Sequence, residues 1–86
     1  MPPAGFNLIV RGGRIIVPHK LLEGLGLGTG MVIVEMRYGG RTVRFRALLV
    51  THEGVGYIPI PGNIRSELGI GDGVAVRVIS IEPVQA

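Results

Sequence analysis

Residues 14 to 30 read Arg14-Ile-Ile-Val-Pro-His-Lys-Leu-Leu-Glu-Gly-Leu-Gly-Leu-Gly-Thr-Gly30, and residues 57 to 73 read Tyr57-Ile-Pro-Ile-Pro-Gly-Asn-Ile-Arg-Ser-Glu-Leu-Gly-Ile-Gly-Asp-Gly73. The two stretches lie 43 positions apart in a chain of 86 residues. Identical pairs are Ile15/Ile58, Pro18/Pro61, Leu25/Leu68, Gly26/Gly69, Gly28/Gly71 and Gly30/Gly73. Apolar swaps fill Val17/Ile60, Leu21/Ile64, Leu27/Ile70, Met31/Val74, Ile33/Val76 and Met36/Ile79. Prolines, glycines and apolar phase recur together, which marks a duplicated supersecondary unit.

Each copy parses the same way. Arg14 to Val17 is a β-branched strand, and Pro18 suits a helix start because its fixed φ fits the first turn and its missing N–H has no helical partner there. His19 to Leu25 is then a short helix with Leu21 and Leu25 on its buried face. Gly26 is a left-handed stop, Leu27 a buried plug and Gly28-Thr29-Gly30 a turn. Met31 to Arg37 is the outgoing strand. Upstream, Phe6 to Arg11 is a strand with Phe6, Leu8 and Val10 on one face, joined through Gly12-Gly13. The second copy repeats this. Arg41 to Thr51 is a strand and His52 to Gly56 the connection, with Gly56 aligned on Gly13. Tyr57 to Ile60 is the next strand, Ile64 and Leu68 are buried on a helix that Gly69 stops, Asp72-Gly73 turns, and Val74 to Ile81 is the last strand. Residues 1 to 4 and 82 to 86 read as tails. The organisation is one domain over 1–86, with repeat one at about 5–38 and repeat two at about 41–82, each β-β-α-β.

The junction Tyr38-Gly39-Gly40 decides which way the middle strands face. A two-residue Gly-Gly hairpin pairs Val34 with Phe45 and Met36 with Val43 as the inward set. A three-residue loop with Gly40 left-handed pairs Ile33 with Phe45 and Met31 with Ala47. Only the latter agrees with the second copy, where Val74, Val76 and Val78 align with Met31, Ile33 and Glu35. The repeat therefore favours the three-residue loop. Its consequence is an outward row of Val32, Val34 and Met36 beside Arg44 and Arg46, which has the character of a protein contact surface.

Composition narrows the classes. With two Phe, two Tyr and no Trp, the core is aliphatic, and without Cys neither disulfides nor thiolate metal sites can staple it. Stability must come from a well-closed barrel or from self-association. No run reaches the length of a membrane span, and Met1-Pro-Pro-Ala-Gly5 lacks signal-peptide features, so a cytoplasmic location and no membrane partner are expected. Eight of the nine basic residues are Arg, a bias compatible with a thermophilic source. The formal net charge of +3 permits an anionic partner.

The unit Gly13-Arg14-Ile15-Ile16-Val17-Pro18, Leu25-Gly26-Leu27, Gly28-Thr29-Gly30, echoed by Ile58-Pro59-Ile60-Pro61, Leu68-Gly69-Ile70 and Gly71-Asp72-Gly73, resembles the AbrB/MazE/SpoVT-like unit of the cradle-loop barrels. With both units in one chain it is also similar to the double-psi β-barrel of the N-terminal region of valosin-containing-protein-type AAA ATPases, where Arg41-Thr42-Val43 has its counterpart. The resemblance implies an all-β fold with two short helices: a six-stranded double-psi β-barrel with internal pseudo-two-fold symmetry, or alternatively a swapped-hairpin AbrB-like barrel.

For function, the AbrB resemblance implies a DNA-binding regulator or nucleoid-type protein, with Arg11, Arg14 and Lys20 facing double-stranded DNA. Arg44 and Arg46 extend a basic face, each neutralising one phosphate. In the second copy those first positions become Gly54, Tyr57 and Asn63, so the grip is not symmetric. The AAA resemblance implies instead a protein-interaction module or homodimer using Val32, Val34 and Met36. A minimal or engineered barrel without an evolved partner is the third reading. No cofactor motif is expected: Gly24-x-Gly26-x-Gly28-x-Gly30 follows a helix C-terminus, where the dipole repels phosphate. His19 and His52 lack the ligands a zinc site needs. No nucleophile elbow surrounds Ser66, Ser80, Thr29 or Thr51. Aspartate decarboxylase, which shares the double-psi barrel, needs a Gly-Ser dipeptide absent here. A non-enzymatic binding domain is the expectation.

Overall fold

In a computed structural model, which describes residues 5–84, the chain forms β1 (Phe6–Arg11), β2 (Arg14–Val17), α1 (His19–Leu25), β3 (Gly30–Tyr38), β4 (Arg41–His52), β5 (Val55–Pro59), α2 (Gly62–Leu68) and β6 (Ala75–Pro83). Residues 1 to 4, read above as a tail, and residues 85–86 lie outside the described set. Residues 82 and 83 belong to β6, not to a tail. The strands close into a barrel in the order β1-β2-β5-β4-β3-β6, and every neighbouring pair is antiparallel. Closure matters for an 86-residue chain without cysteine, because it buries an aliphatic core without leaving a full-length sheet edge.

The duplication becomes a two-fold axis. β2 pairs with β5 so that Ile15 lies opposite Ile58, its own copy 43 residues on. Both side chains are fully buried. Exchanging each strand for its copy (β1 for β4, β2 for β5, β3 for β6) reproduces the same cyclic order. Leu8, Val10, Val17, Phe45, Ala47, Leu49, Ile60, Val76 and Val78 complete the inner wall. Each large aliphatic buried this way contributes about 1.5–3 kcal/mol relative to exposure.

Both helices end as the glycines dictate. Gly26 (φ 65°) and Gly69 (φ 69°) are left-handed. The amides of Leu27 and Ile70 donate to the carbonyls of Leu22 and Arg65, and those of Gly26 and Gly69 to Glu23 and Ser66. This is the double hydrogen bond of a Schellman stop. The buried face of α1 differs from the expected one. Leu22 is buried, Leu21 is only partly so, and Leu25 is 40% exposed. The helix lies over the glycine at position 56, and Leu22 is the residue that reaches it. Leu27, Ile64 and Leu68 are only partly buried, and Ile70 is the plug that is fully in. Phe6 sits at the barrel rim, 40% exposed, below Leu8 and Val10.

The middle hairpin overturns the preferred loop. Tyr38 pairs with Arg41, leaving a two-residue Gly39-Gly40 turn with φ of 58° and 78°. Two positive φ values are the type I′ signature, whose twist matches that of the strands it joins. Val34 therefore faces Phe45 and Met36 faces Val43. Val32, Val34 and Met36 are 1%, 0% and 0% exposed: they are core, not an outward interface. The repeat misled for two local reasons. The connection from the Gly69 cap to the first fully buried strand residue, Val76, is one residue longer than that from Gly26 to Val32. In addition, β6 carries a bulge opposite Glu35/Met36, where Ile79 is extra, so its inward residues change from Val76 and Val78 to Ile81. Side chains alternate with period two, so a one-residue offset turns an entire row over.

Candidate nucleic-acid interface

The barrel interior holds no chemistry. Among the described residues none that is buried is polar or charged, and no buried side-chain polar atom lacks a partner. Whatever the protein binds meets its outer wall or its ends.

The type I′ turn puts Arg37 of β3 on the same side as Arg44 and Arg46 of β4, because Arg37 pairs with Thr42, Glu35 with Arg44 and Ile33 with Arg46. Arg77 of β6 pairs with Arg37 on the next strand over, and its guanidinium donates to Asn7 Oδ1 at 3.4 Å. Arg37, Arg44 and Arg46 are exposed, and none of them forms an ion pair among the described residues. Glu35 lies directly opposite Arg44 without bridging to it. Residues two apart on one strand and directly opposite on the next are about 5–7 Å apart at the backbone. The wall β4–β3–β6 thus gathers four arginines on one face, among which stand two carboxylates, Glu35 opposite Arg44 and Glu82 opposite Ile33.

The five basic residues nominated from sequence do not form one face. Arg44 and Arg46 stand on this wall. Arg11 and Arg14 are a cross-strand pair flanking the Gly12-Gly13 turn, on the β1–β2 side. Arg14 lies over the Tyr57 ring, 4.9 Å from its centroid, a cation–π contact that fixes the guanidinium against β5. Lys20 is exposed on α1, which packs against β5. Arg37 and Arg77 were missed. Arg37 was placed on the wrong side by the three-residue loop, and Arg77 shares a face with it only through the β3–β6 pairing, which no local pattern announces.

The ends of the barrel hold two clefts. One, of about 300 Å³, is lined by His19, Leu22, Glu23, Leu27, Thr51 and Gly54. His19 Nδ1 donates to the Gly54 carbonyl at 3.1 Å, and His19 Nε2 pairs with Glu23. The other, of about 260 Å³, runs past Leu27, Met31, Pro83 and Val84. The Thr51 amide donates to Thr29 Oγ1 at 3.2 Å, tying the loop after α1 to β4. His52 lies near Glu53, and no group of three potential metal ligands occurs among the described residues.

No protein-family model, curated protein or solved structure matches this chain. What the fold itself defines is a closed six-stranded antiparallel β-barrel with two short helices. None of the helices is long and apolar enough to cross a membrane among the described residues.

Proposed function

We propose that the protein is a non-enzymatic nucleic-acid-binding barrel that contacts the phosphates of duplex DNA through the β4–β3–β6 wall. The observation that carries this is the outward row of Arg37, Arg44 and Arg46, unpaired with any carboxylate and continued by Arg77. Exposed arginines in such an array repel one another, and a polyanion relieves that repulsion while releasing its counterions. The duplicated β-β-α-β unit supports kinship with the cradle-loop barrels, double-psi or swapped-hairpin, and within that kinship the AbrB-like, DNA-binding branch is the better match to the charge. Arg11 and Arg14 provide a secondary contact around the first hairpin.

Titration of the protein with a labelled DNA duplex at two salt concentrations is the test. With three or four phosphates neutralised, log K falls with log salt at a slope of about −3. Arg44→Ala/Arg46→Ala reduces that slope by about two, whereas Arg11→Ala/Arg14→Ala changes it by less. Absence of binding at the lower salt overturns the proposal.

A further inference from the structure

We infer that the outer face spanning β3, β4, β5 and β2 is a docking surface for an amphipathic helix of a partner protein whose apolar seam is flanked by carboxylates. Met31, Leu48 and Val50 are 42%, 45% and 44% exposed, the three highest values among the large hydrophobics. They are contiguous: Met31 faces Leu48, and Val50 follows two residues later on the same side of β4. Val50 faces Tyr57 of β5, and Tyr57 faces Ile16 of β2. Both of these are half-buried, and the exposed Pro59 stands two residues beyond Tyr57. The stripe crosses four strands, about 14 Å at about 4.8 Å per spacing. A helix of about ten residues covers that length.

The chemistry of the rim selects the occupant. The outward residues of β4 are Thr42, Arg44, Arg46, Leu48, Val50 and His52; those of β5 are Val55, Tyr57 and Pro59; those of β2 are Arg14 and Ile16. None of these is a carboxylate, and those of β3 are Met31, Ile33, Glu35 and Arg37, with Glu35 four residues along from Met31 and opposite Arg44. Arg46 borders the stripe on one side and Arg14, held over Tyr57, on the other. Tyrosine and arginine around an apolar centre are the residues that dominate protein interfaces. An isologous contact with a second copy would set these arginines against their own kind, whereas acidic flanks meet them. The strands under the stripe are laddered on both sides, with Met31 to Leu48 and Tyr57 to both Val50 and Ile16. Strand addition has no free edge there, so the occupant brings a backbone already hydrogen-bonded within itself. The cleft beside Met31, walled by Leu27, Pro83 and Val84, gives the end of the seam a socket. This inference shares Arg14 and Arg46 with the DNA proposal but rests on the apolar stripe between them, which offers phosphate nothing.

A labelled helical peptide of about three turns, with Leu at i, i+3, i+4 and i+7 flanked by Glu, serves as the probe, read by fluorescence anisotropy. The expected result is saturable binding that weakens at least about tenfold for the Lys-flanked peptide and for Val50→Glu. Val50→Thr, which keeps β propensity, weakens it less, and unchanged thermal melting shows that each variant is folded. Arg14→Glu/Arg46→Glu inverts the preference toward the Lys-flanked peptide. Any of four results overturns the inference: no binding of the Glu-flanked peptide up to millimolar concentration, equal binding by Val50→Glu, self-association of the wild type lost in Leu48→Glu, or duplex DNA or anionic vesicles whose binding Val50→Glu abolishes.

Discussion

The two hairpins that the duplication makes equivalent have diverged in length. Counted from the axis pair Ile15/Ile58, the first hairpin turns after Arg14, whereas the second continues through Tyr57 and Gly56 to Val55 before turning at Glu53-Gly54. The extra length lets the second hairpin overhang α1, where His19 holds its Gly54 carbonyl and Leu22 lies against Gly56. The short first hairpin is held from the other side. The Asp72 carboxylate accepts the Gly12 amide, and the Arg65 guanidinium lies beside Gly13. Copies of one unit thus keep the same core at the axis and part company at the ends. Both clefts described above lie on the α1 side. In a duplicated barrel the symmetric centre supplies stability, and difference accumulates where it does not disturb packing.

Buried strand positions of the two halves should fail alike. Val34→Lys and Val78→Lys each place an ammonium in a wall position with 0% exposure. Each is expected to cost more than about 4 kcal/mol and unfold the domain, while Leu48→Lys on the outer face leaves the unfolding free energy from urea melts within about 0.5 kcal/mol. A folded Val34→Lys would break the equivalence and the two-residue turn together.

Glycines that align in sequence should separate in energy. A methyl group on Gly56 would come within 2.9 Å of Leu22 Cδ2 and 3.0 Å of Leu49 Cδ1. Because Leu49 is fully buried, overpacking of about 1–3 kcal/mol is expected for Gly56→Ala. Gly13→Ala meets only the mobile end of Arg65 but holds φ at 73°, so about 1 kcal/mol of backbone strain is expected. Denaturant melts of both variants rank them directly.

Asp72→Ala removes the acceptor of the Gly12 amide in an exposed setting, and a loss of about 0.5–1 kcal/mol is expected with no effect on the second hairpin's amide exchange. A change of similar size has the opposite sign. Glu53 is the one non-glycine with positive φ among the described residues, at 50°. Glu53→Gly is therefore expected to stabilise by about 0.5–1 kcal/mol, seen as a raised Tm, by relieving left-handed strain in the longer hairpin.

Much of this was legible beforehand, and the reason is local. Pro18 and Pro61 open helices and Gly26 and Gly69 close them because fixed φ and left-handed φ are properties of those residues wherever they stand. The offset of 43 aligned Ile15 with Ile58 in sequence, and the fold sets them opposite each other because a duplicated strand beside its copy meets itself at the axis. The facing of β3 and β4 was not legible. It hangs on whether two or three residues turn at Gly39-Gly40 and on a bulge at Ile79, each a matter of one residue, and alternation converts one residue into a complete exchange of faces. Val32, Val34 and Met36 went to the core for that reason, and Met31, Leu48 and Val50 came out. Arg14, Arg44 and Arg46 read as basic and exposed from the sequence alone, since arginine is seldom buried unpaired. Only closure of the barrel decided that Arg37 and Arg77 join two of them on one wall and that Arg14 settles on Tyr57 instead. Neighbours across strands are set by register over the whole ring, and no short stretch of sequence contains that information.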